Sequence, residues 1–448
     1  MANEIQNSAS RHIPKYADAD RITIFPILLV NFIGTLGYSI VLPFLVILVL
    51  KLGGNELIYG ILGATYSFFQ LLGAPILGNW SDRYGRKKIL LLSQIGTFLA
   101  WVLFLIALLI PNQELMDIQS TMLGAFILTI PLLLLFAARA LDGITGGNVS
   151  VANAYLADVT PEEDRKRNFG KMGASANLGF IVGPALAGVL GETALGEMLP
   201  VLLALFISLI AIFVISFYLQ ETNPCVIAKP IGEESIKKVL GQEHKECYKL
   251  TGENKAGFRD ILKLPNIPFM LLLYFLVFLA FSLFYVAFPV HAVQQLDWSL
   301  LKLGGFFSVL GFILVIVEGP ILTKISGWFS DSQFTIAGSI LLAGSFLTFM
   351  SSSEFIIGVG VVLYAVGNGI MWPSFLSILS KTAEQKFQGA VQGYASSTGS
   401  LASIIGLITG GFMYSIVGPG AFLIPGLVLF LIFLLSFKLA GIEKSVSN

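Results

Sequence analysis

Two opposite charges interrupt a long apolar stretch of the sequence. Arg139 and Asp142 lie three positions apart in RALDGITGGN, so a helix would place them on one face. An arginine inside an apolar segment is costly and is by default a functional-site hypothesis. The neighbouring acid could bind and release a proton, or it could only neutralise the arginine and stabilise packing. The pair therefore predicts either a proton-coupling site or a structural ion pair.

Glu318 is the second candidate for proton coupling, because it also falls in an apolar run. The alternative interpretation is an ion pair with the nearby Lys324 at the boundary of that run. Both interpretations are open at the level of the sequence.

Several polar and aromatic residues have the spacing of a helix face that could line a cavity. Asn31, Thr35 and Tyr38 follow the i, i+4, i+7 pattern and form a polar, uncharged face. Two later apolar runs contribute Phe284, Tyr285, Asn368 and Trp372. These residues predict a largely apolar cavity for an amphipathic or aromatic organic molecule. Aromatic residues at helical spacing also pack against each other or face lipid, which is the alternative.

Known catalytic patterns do not occur in the sequence. It contains no nucleotide-binding Walker loop, catalytic triad or metal-ligand spacing. We therefore expect no enzymatic activity, no metal and no cofactor. The energy for any work on a bound molecule must then come from an ion gradient, with protons as the leading choice, or from the gradient of that molecule.

The composition is that of a membrane protein. The 448 residues are 55% hydrophobic and only 12% charged, with a mean hydropathy of +0.83. Apolar runs long enough to cross a bilayer recur along the whole chain. We predict twelve spans, at about 22–50, 57–78, 88–110, 124–158, 170–191, 198–219, 267–293, 302–323, 333–352, 355–380, 389–414 and 419–441. The fourth is predicted to be one long helix.

The distribution of lysine and arginine predicts the orientation of the chain. With the N-terminus in the cytoplasm, only Lys51 and Lys302 lie on the outer side, and only Arg139 falls inside a span away from its ends. All other Lys and Arg residues then lie on the cytoplasmic side, as the positive-inside rule requires. Both termini are therefore expected to be cytoplasmic.

A polar segment divides the spans into two related halves. The expected units are a tail (1–21), a six-helix bundle (22–220), a cytoplasmic linker (221–265), a second six-helix bundle (266–441) and a tail (442–448). Pro75–Gly85 aligns with Pro320–Ser330. With a different offset, Gly170, Gly183 and Gly188 fall opposite Gly393, Gly406 and Gly411. The matches indicate a parallel repeat, in which a binding site lies between the halves.

The short link GNWSDRYGRKK, between spans two and three, concentrates charge in this weakly charged chain. A basic loop that fixes topology explains Arg86 and the following lysines, but not the Asp82–Arg83 pair or the two glycines. The link resembles the signature loop of the major facilitator superfamily, with matching residues at Gly78, Asp82, Arg83, Gly85, Arg86 and Lys87.

The resemblance implies that this link is a cytoplasmic latch. In that family the acid corresponding to Asp82 faces the N-terminus of span eleven, and Arg86 would pair with an acid at the end of span four, here Asp158. The second copy has Gly327 and Trp328 opposite Asp82 and Arg83, so we expect that the latch has lost its charges there.

Span five resembles the antiporter motif of the same family. The matching residues are Gly170, Gly179, Gly183, Pro184 and Gly188. The resemblance favours export by exchange, whereas small residues at this spacing also serve close helix packing. Two positions depart from the family pattern. Asp142 replaces a glutamine, and Gly34 replaces the acid that many drug/proton antiporters have in span one.

The residues and the resemblance together imply an all-α integral membrane protein with the twelve-helix major facilitator fold. The expected function is proton-coupled efflux of an amphipathic small organic molecule by alternating access. An importer or uniporter on the same fold, or a non-transporting receptor or scaffold, is the alternative. The expected partners are the substrate, protons and the lipid bilayer, without nucleic acid. We expect a monomer in a bacterial inner membrane.

Overall fold

The computed structural model describes residues 23–120, 123–146, 148–160, 165–222, 258–383 and 388–447. Helices cover the predicted spans. They are Phe25–Lys51 (span one), Glu56–Tyr84 (two), Arg86–Leu109 (three), Ile130–Thr145 with Asn148–Val159 (four), Arg165–Gly191 (five), Met198–Tyr218 (six), Ile267–Gln294 (seven), Leu300–Ile316 continued by Val317–Ile321 and Leu322–Ile325 (eight), Asp331–Thr348 (nine), Glu354–Thr382 (ten), Gln388–Val417 (eleven) and Leu423–Ser447 (twelve).

The predicted boundaries of span four, and its continuity, are wrong. Gly124–Thr129 forms a strand, β2, which pairs antiparallel with β1, Glu114–Ser120. The helix begins only at Ile130, where the Thr129 side chain accepts a hydrogen bond from the backbone of Leu132 and caps it. It then ends at Thr145, before the glycine pair 146–147, because glycine costs about 1 kcal/mol relative to alanine inside a helix.

The hairpin is held at one end of the bundle by the loop between spans one and two. The backbone N–H of Ile127 donates to the carbonyl of Gly53 at 2.8 Å. The Asn55 amide donates to the carbonyls of Leu123 and Ala125. We call this the hairpin end, and the opposite end, which carries Gly78–Lys88, the basic end.

The helices are long and apolar enough for a multi-pass membrane protein. In the described residues, nine stretches qualify as membrane spans by length and composition, and the last of these, Val391–Ser445, contains both span eleven and span twelve. The interrupted span four and the 18-residue span nine complete the predicted set. The architecture is thus the predicted all-α membrane fold, with one small hairpin added outside it.

The two halves pack their helices in the same order. Span one packs on span five as span seven packs on span eleven. Span four packs on spans two and three as span ten packs on spans eight and nine. Between the halves, the main contacts are span two with span eleven and span five with span eight. Swapping the two halves converts the first of these contacts into the second. This symmetry is expected for a parallel repeat with a cavity between its halves.

Glycines matched by the sequence repeat occupy equivalent places. A Cβ on Gly183 would lie 3.0 Å from the backbone of Leu36 in span one. A Cβ on Gly406 would lie 2.9 Å from the carbonyl oxygen of Leu279 in span seven. Each glycine therefore allows close approach of two helices within its own half.

The matched glycines also show which end of the molecule is closed. At the hairpin end, a Cβ on Gly188 would lie 3.1 Å from the Leu300 carbonyl oxygen. A Cβ on Gly411 would lie 2.6 Å from that of Glu56, so the halves are in close contact there. At the basic end, a Cβ on Gly170 or Gly393 would meet no atom of the described residues within 4 Å. The space between the halves therefore opens at the basic end.

Candidate functional site

A cavity of about 360 Å³ lies between the halves and is large enough for a small organic molecule. The first half lines it with residues from spans one to six, and the second half contributes spans seven and eleven. Its polar residues in the first half include Asn31, Thr35, Gln70, Gln94, Thr97 and Asp142. The two halves thus both contact anything that the cavity holds.

The predicted pair Arg139 and Asp142 forms at the wall of this cavity. Arg139 Nη1 lies 3.5 Å from Asp142 Oδ2, and the arginine side chain is only 5% exposed. The Arg139 guanidinium also lies 4.6 Å from the centre of the Tyr66 ring, at cation–π distance. Asp142 lines the cavity, so the acid of the pair is the one that a bound molecule or a proton can reach.

The described neighbours of Arg139 do not accept hydrogen bonds from all of its donors. Its Nε and Nη1 atoms are buried and have no hydrogen-bond partner in the described part of the chain. Leaving buried donors unpaired is expensive, and the cost is greater for a charged group. The arginine therefore retains the capacity to bind an acceptor.

Span two supports this charged wall. The Tyr66 ring packs at a tilt against that of Tyr38, with ring centres 5.3 Å apart, and Gln70 donates to the Tyr66 hydroxyl at 3.2 Å. The Gln70 amide also donates to the carbonyl of Gly146, where span four is interrupted. The break in span four therefore exposes a carbonyl that fixes a cavity-lining side chain. Tyr66 and Gln70 were missed in the sequence, although their i, i+4 spacing on a membrane helix could have suggested them.

The predicted residues of span one lie at the cavity. Asn31, Thr35 and Tyr38 all line it, as does Gly34, at which a Cβ would meet nothing within 4 Å. Asn31 donates to the Met172 carbonyl at 2.9 Å and so holds span one against span five.

The structure does not bring the other predicted cavity residues to this surface. Phe284 is fully buried in an aromatic cluster within the second half, where its ring centre lies 5.0 Å from that of Tyr364. Tyr285 and Trp372 pack against further rings, and Asn368 does not line the cavity. Helical spacing alone could not tell the face of a span that meets its own half from the face that meets the cavity.

The second half instead presents a wall of two rings and three hydroxyls. Tyr274 and Phe278 line the cavity and stack at 4.9 Å. Ser396, Ser400 and Ser403 of span eleven lie beside them. The three serines have i, i+4, i+7 spacing, a signal that was present in the sequence.

Glu318 lies at the interface of the halves, outside the lining of the cavity. Its Oε2 accepts a hydrogen bond of 3.1 Å from the Asn177 amide of span five. The alternative pair with Lys324 does not form, and no ion pair of Glu318 occurs among the described residues. Glu318 is part of the π-helical turn Val317–Ile321, and such turns are frequent at functional sites.

The predicted partner of Arg86 at the basic end is present. Arg86 Nε donates to Asp158 Oδ2 at 3.0 Å, and Arg86 Nη1 donates to the Ser81 hydroxyl. Ser81 in turn donates to the carbonyl of Gly78 at 2.7 Å. Gly85 has φ of +106°, which favours glycine, and allows the sharp turn between spans two and three.

The remaining residues of the predicted latch have different positions. Lys87 Nζ donates to the carbonyl of Ser216 at the end of span six. Arg83 lies 5.9 Å from the ring centre of its neighbour Tyr84. Asp82 belongs to the helix of span two, but its side chain lies outside the described residues, so its contact with span eleven stays a prediction.

A second carboxylate, which sequence reasoning missed, caps span three. Glu221 accepts hydrogen bonds from the backbone N–H groups of Arg86 and Lys87, at 2.8 and 3.2 Å. These donors have no partner inside the helix, and a negative charge is favourable at a helix N-terminus. The Arg86 link is thus joined to the ends of spans four and six.

The positions opposite Asp82 and Arg83 carry no charge, but the second half has a charged pair of its own just beyond them. Lys381, at the end of span ten, donates to Asp331 Oδ2 at 2.6 Å. In the repeat alignment Asp331 is the residue opposite Arg86, so the charges of the pair are reversed between the halves. Glu443 accepts from the backbone N–H groups of Asp331 and Ser332, as Glu221 does from those of Arg86 and Lys87.

The residues of the span-five motif lie at several interfaces. Gly179 and Gly183 pack on span one, and Gly188 packs on the start of span eight. The carbonyl of Pro184 is in close contact with Gly304 of span eight, and Gly170 lies at the open end. The motif therefore serves helix packing within the first half and across the interface.

The chain belongs to the major facilitator superfamily. The sequence profile described as "Major Facilitator Superfamily" matches residues 27–407. The fold, the repeat and the central cavity are those of this family of transporters, so the protein is a multi-pass membrane transporter and not an enzyme.

The chain is also similar to named members of this family. The chain is 28% identical over 399 residues to the class E tetracycline resistance protein of Escherichia coli, covering 88% of each chain. It is 25% identical over 385 residues to human major facilitator superfamily domain-containing protein 10, covering 83% of this chain and 78% of that protein. A crystal structure of the human organic anion transporter MFSD10 (TETRAN) superimposes with a TM-score of 0.65 at 21% identity, covering 94% of this chain and 99% of that one. The inward open xylose transporter XylE from E. coli gives 0.69 at 16% identity, covering 93% and 96%.

Proposed function

We propose that the protein exports an amphipathic small organic molecule in exchange for protons, by alternating access. The observation that carries the proposal is the buried Arg139–Asp142 pair at the wall of a cavity between two halves. Asp142 is the proton-binding group, and Arg139 holds its charge when the proton has left. The similarity to proteins named for tetracycline resistance supports a drug-like substrate and the outward direction.

The substrate class follows from the two walls of the cavity. Tyr274 and Phe278 offer flat apolar surface for a planar or aromatic body. The serines of span eleven and the amides of Gln70 and Gln94 offer hydrogen bonds to its polar edge. Binding would bridge the halves and so couple the presence of the substrate to their relative movement.

Alternating access follows from where the halves touch. In this form they meet at the hairpin end and part at the basic end, as the matched glycines indicate. Rocking about the centre would close the basic end and open the hairpin end. With the basic end in the cytoplasm, as the distribution of lysine and arginine predicts, the substrate enters the cavity from inside the cell. We place the protein, as a monomer, in a bacterial inner membrane with both termini cytoplasmic.

Purified protein in liposomes tests the proposal. A panel of drug-like compounds is first screened by thermal stabilisation, and the hits are then followed as flux with an imposed pH gradient. The proposal predicts that substrate accumulates in the more acidic compartment, against its own gradient. Accumulation away from the acidic side would indicate a symporting importer, and flux that ignores the gradient a uniporter. If no compound of the panel stabilises the protein or is transported by it, the result would favour a receptor or scaffold.

A further inference from the structure

Glu318 is an acidic residue between the halves that does not line the cavity. It lies on span eight, in the π-helical turn that interrupts regular helix geometry, and it is absent from the cavity lining. Its recorded hydrogen bond comes from Asn177 Nδ2 of span five, at 3.1 Å. Spans five and eight belong to different halves, so this bond joins the halves.

The groups that pack beside Glu318 on spans nine and ten are apolar. Span ten faces it with Gly369, at which a Cβ would lie 3.6 Å from Glu318 Cγ, and span nine contributes Phe334 against the adjacent Val317.

The titratable groups of the packed elements have other positions. Lys171 lies six residues from Asn177 towards the basic end of span five, and Lys324 lies six residues further along span eight. On span ten, Tyr364 is in the aromatic cluster and Lys381 pairs with Asp331. Tyr38 of span one lies at the cavity wall. None of them forms an ion pair with Glu318 in the described residues.

Glu318 is partly accessible in this form. Glu318 itself is half-buried, and the next residue, Gly319, is exposed and would have nothing within 4 Å of a Cβ. Gly327, at the end of the span, is open in the same way. If the halves close at the basic end, spans five and eight approach each other here and the carboxylate loses this access. Burial without a positive partner disfavours the charged carboxylate, so the closed form favours the protonated acid.

We propose that Glu318 and Asn177 form a proton-binding site between the halves, separate from the Arg139–Asp142 pair, and that Glu318 takes up a proton before the basic end closes. When ionised, the carboxylate accepts the Asn177 hydrogen bond and the basic end stays open. When protonated, it is neutral and can be enclosed. The inference rests on the alternating-access part of the proposed function, but it requires neither a particular substrate nor a particular transport direction.

Distance measurements on the full chain test this without any substrate. Spin labels at Ala174→Cys in span five and Ser326→Cys in span eight, with Cys225 and Cys247 replaced by serine, report the width of the basic end in nanodiscs between pH 5 and pH 8.5. We expect the short-distance population to rise as pH falls. Glu318→Gln should give a mainly short distance at every pH, whereas Glu114→Gln, which removes an exposed acid of the hairpin, should keep the pH response.

A second variant keeps the test informative if Glu318→Gln folds poorly. Asn177→Ala removes the hydrogen bond to the ionised form, so the midpoint of the pH response should move up by about one pH unit. A pH response that survives unchanged in Glu318→Gln, or that is lost equally in Glu114→Gln, would overturn the proposal. So would a wild-type distance that does not change with pH, or a midpoint unaffected by Asn177→Ala. Substrate flux is absent from these readouts, so their failure is distinct from failure of the proposed export.

Discussion

Gly411→Ala should push the protein out of the form seen here. The added Cβ would lie 2.6 Å from the Glu56 carbonyl oxygen and 3.1 Å from Leu57 Cα. Carbon–oxygen contacts of this kind settle at about 3.3 Å or more, so span eleven must withdraw from span two by about 0.7 Å. Overpacking of this kind costs about 1–3 kcal/mol in a close-packed interface. The form open at the hairpin end escapes the cost, because the halves part there.

The expected result is a shift of about tenfold in the ratio of the two forms, since 1.4 kcal/mol corresponds to a factor of ten. Labels at the exposed positions Leu195→Cys and Ile416→Cys measure the width of the hairpin end. The matched control is Gly393→Ala on the same helix, where a Cβ meets nothing within 4 Å. Gly188→Ala, the repeat counterpart, should shift the ratio in the same direction but less, because its nearest contacts are 3.1 Å.

Two results would refute this reasoning. One is a distance distribution for Gly411→Ala that matches the wild type. The other is an equal shift in Gly393→Ala, which would mean that any added methyl group on span eleven acts through helix propensity and not through the interface.

Four further outcomes follow from the site and the two latches. Asp142→Asn should retain substrate-induced thermal stabilisation but lose the response of flux to a pH gradient; flux that still follows the gradient would remove Asp142 from coupling. Gly34→Asp should fold, because its side chain has room at the cavity, and should change the pH profile of transport; an unchanged profile would make the missing span-one acid irrelevant. Glu221→Gln should lower the thermal midpoint of unfolding by a few degrees, because the cap of span three loses its charge. Glu443→Gln should do the same through the cap of span nine, and an unchanged midpoint in both variants would show that these caps do not stabilise the protein. Asp331→Lys and Lys381→Asp should each slow transport by placing like charges together, and the double variant should recover; a double variant as slow as the singles would argue against a direct pair.

The fold was largely predictable from the sequence because each span carries its own signal. Length and hydropathy gave the helices, and the matched glycines gave the repeat. The break in span four was not predictable from hydropathy, since Ile130–Val159 is apolar throughout its first part and the glycine pair costs too little to exclude a continuous helix. The β-hairpin was hidden for a similar reason, because the mostly apolar β2 looks like the start of the next span.

The site was predictable only in part. Arg139 and Asp142 stand out because charge is expensive in a span, whereas Phe284 and Asn368 were chosen by periodicity, which does not identify the neighbour that a helix face meets. Glu221 had no local signal, since its partner Arg86 lies 135 residues away in the chain. The reversed latch was visible in principle. The alignment of Pro75–Gly85 with Pro320–Ser330 stops one residue before Arg86 and Asp331. Extending it by one residue places these opposite charges at equivalent positions.

The most direct test of the central claim is the pH inside liposomes during substrate efflux. Liposomes carrying the purified protein are loaded with a transported compound at equal pH on both sides and diluted into compound-free buffer, and a lumenal dye follows the proton. Exchange predicts that the lumen becomes acidic as substrate leaves, and that Asp142→Asn abolishes this change. A lumen that becomes alkaline, or that keeps its pH while substrate leaves, would contradict proton-coupled antiport.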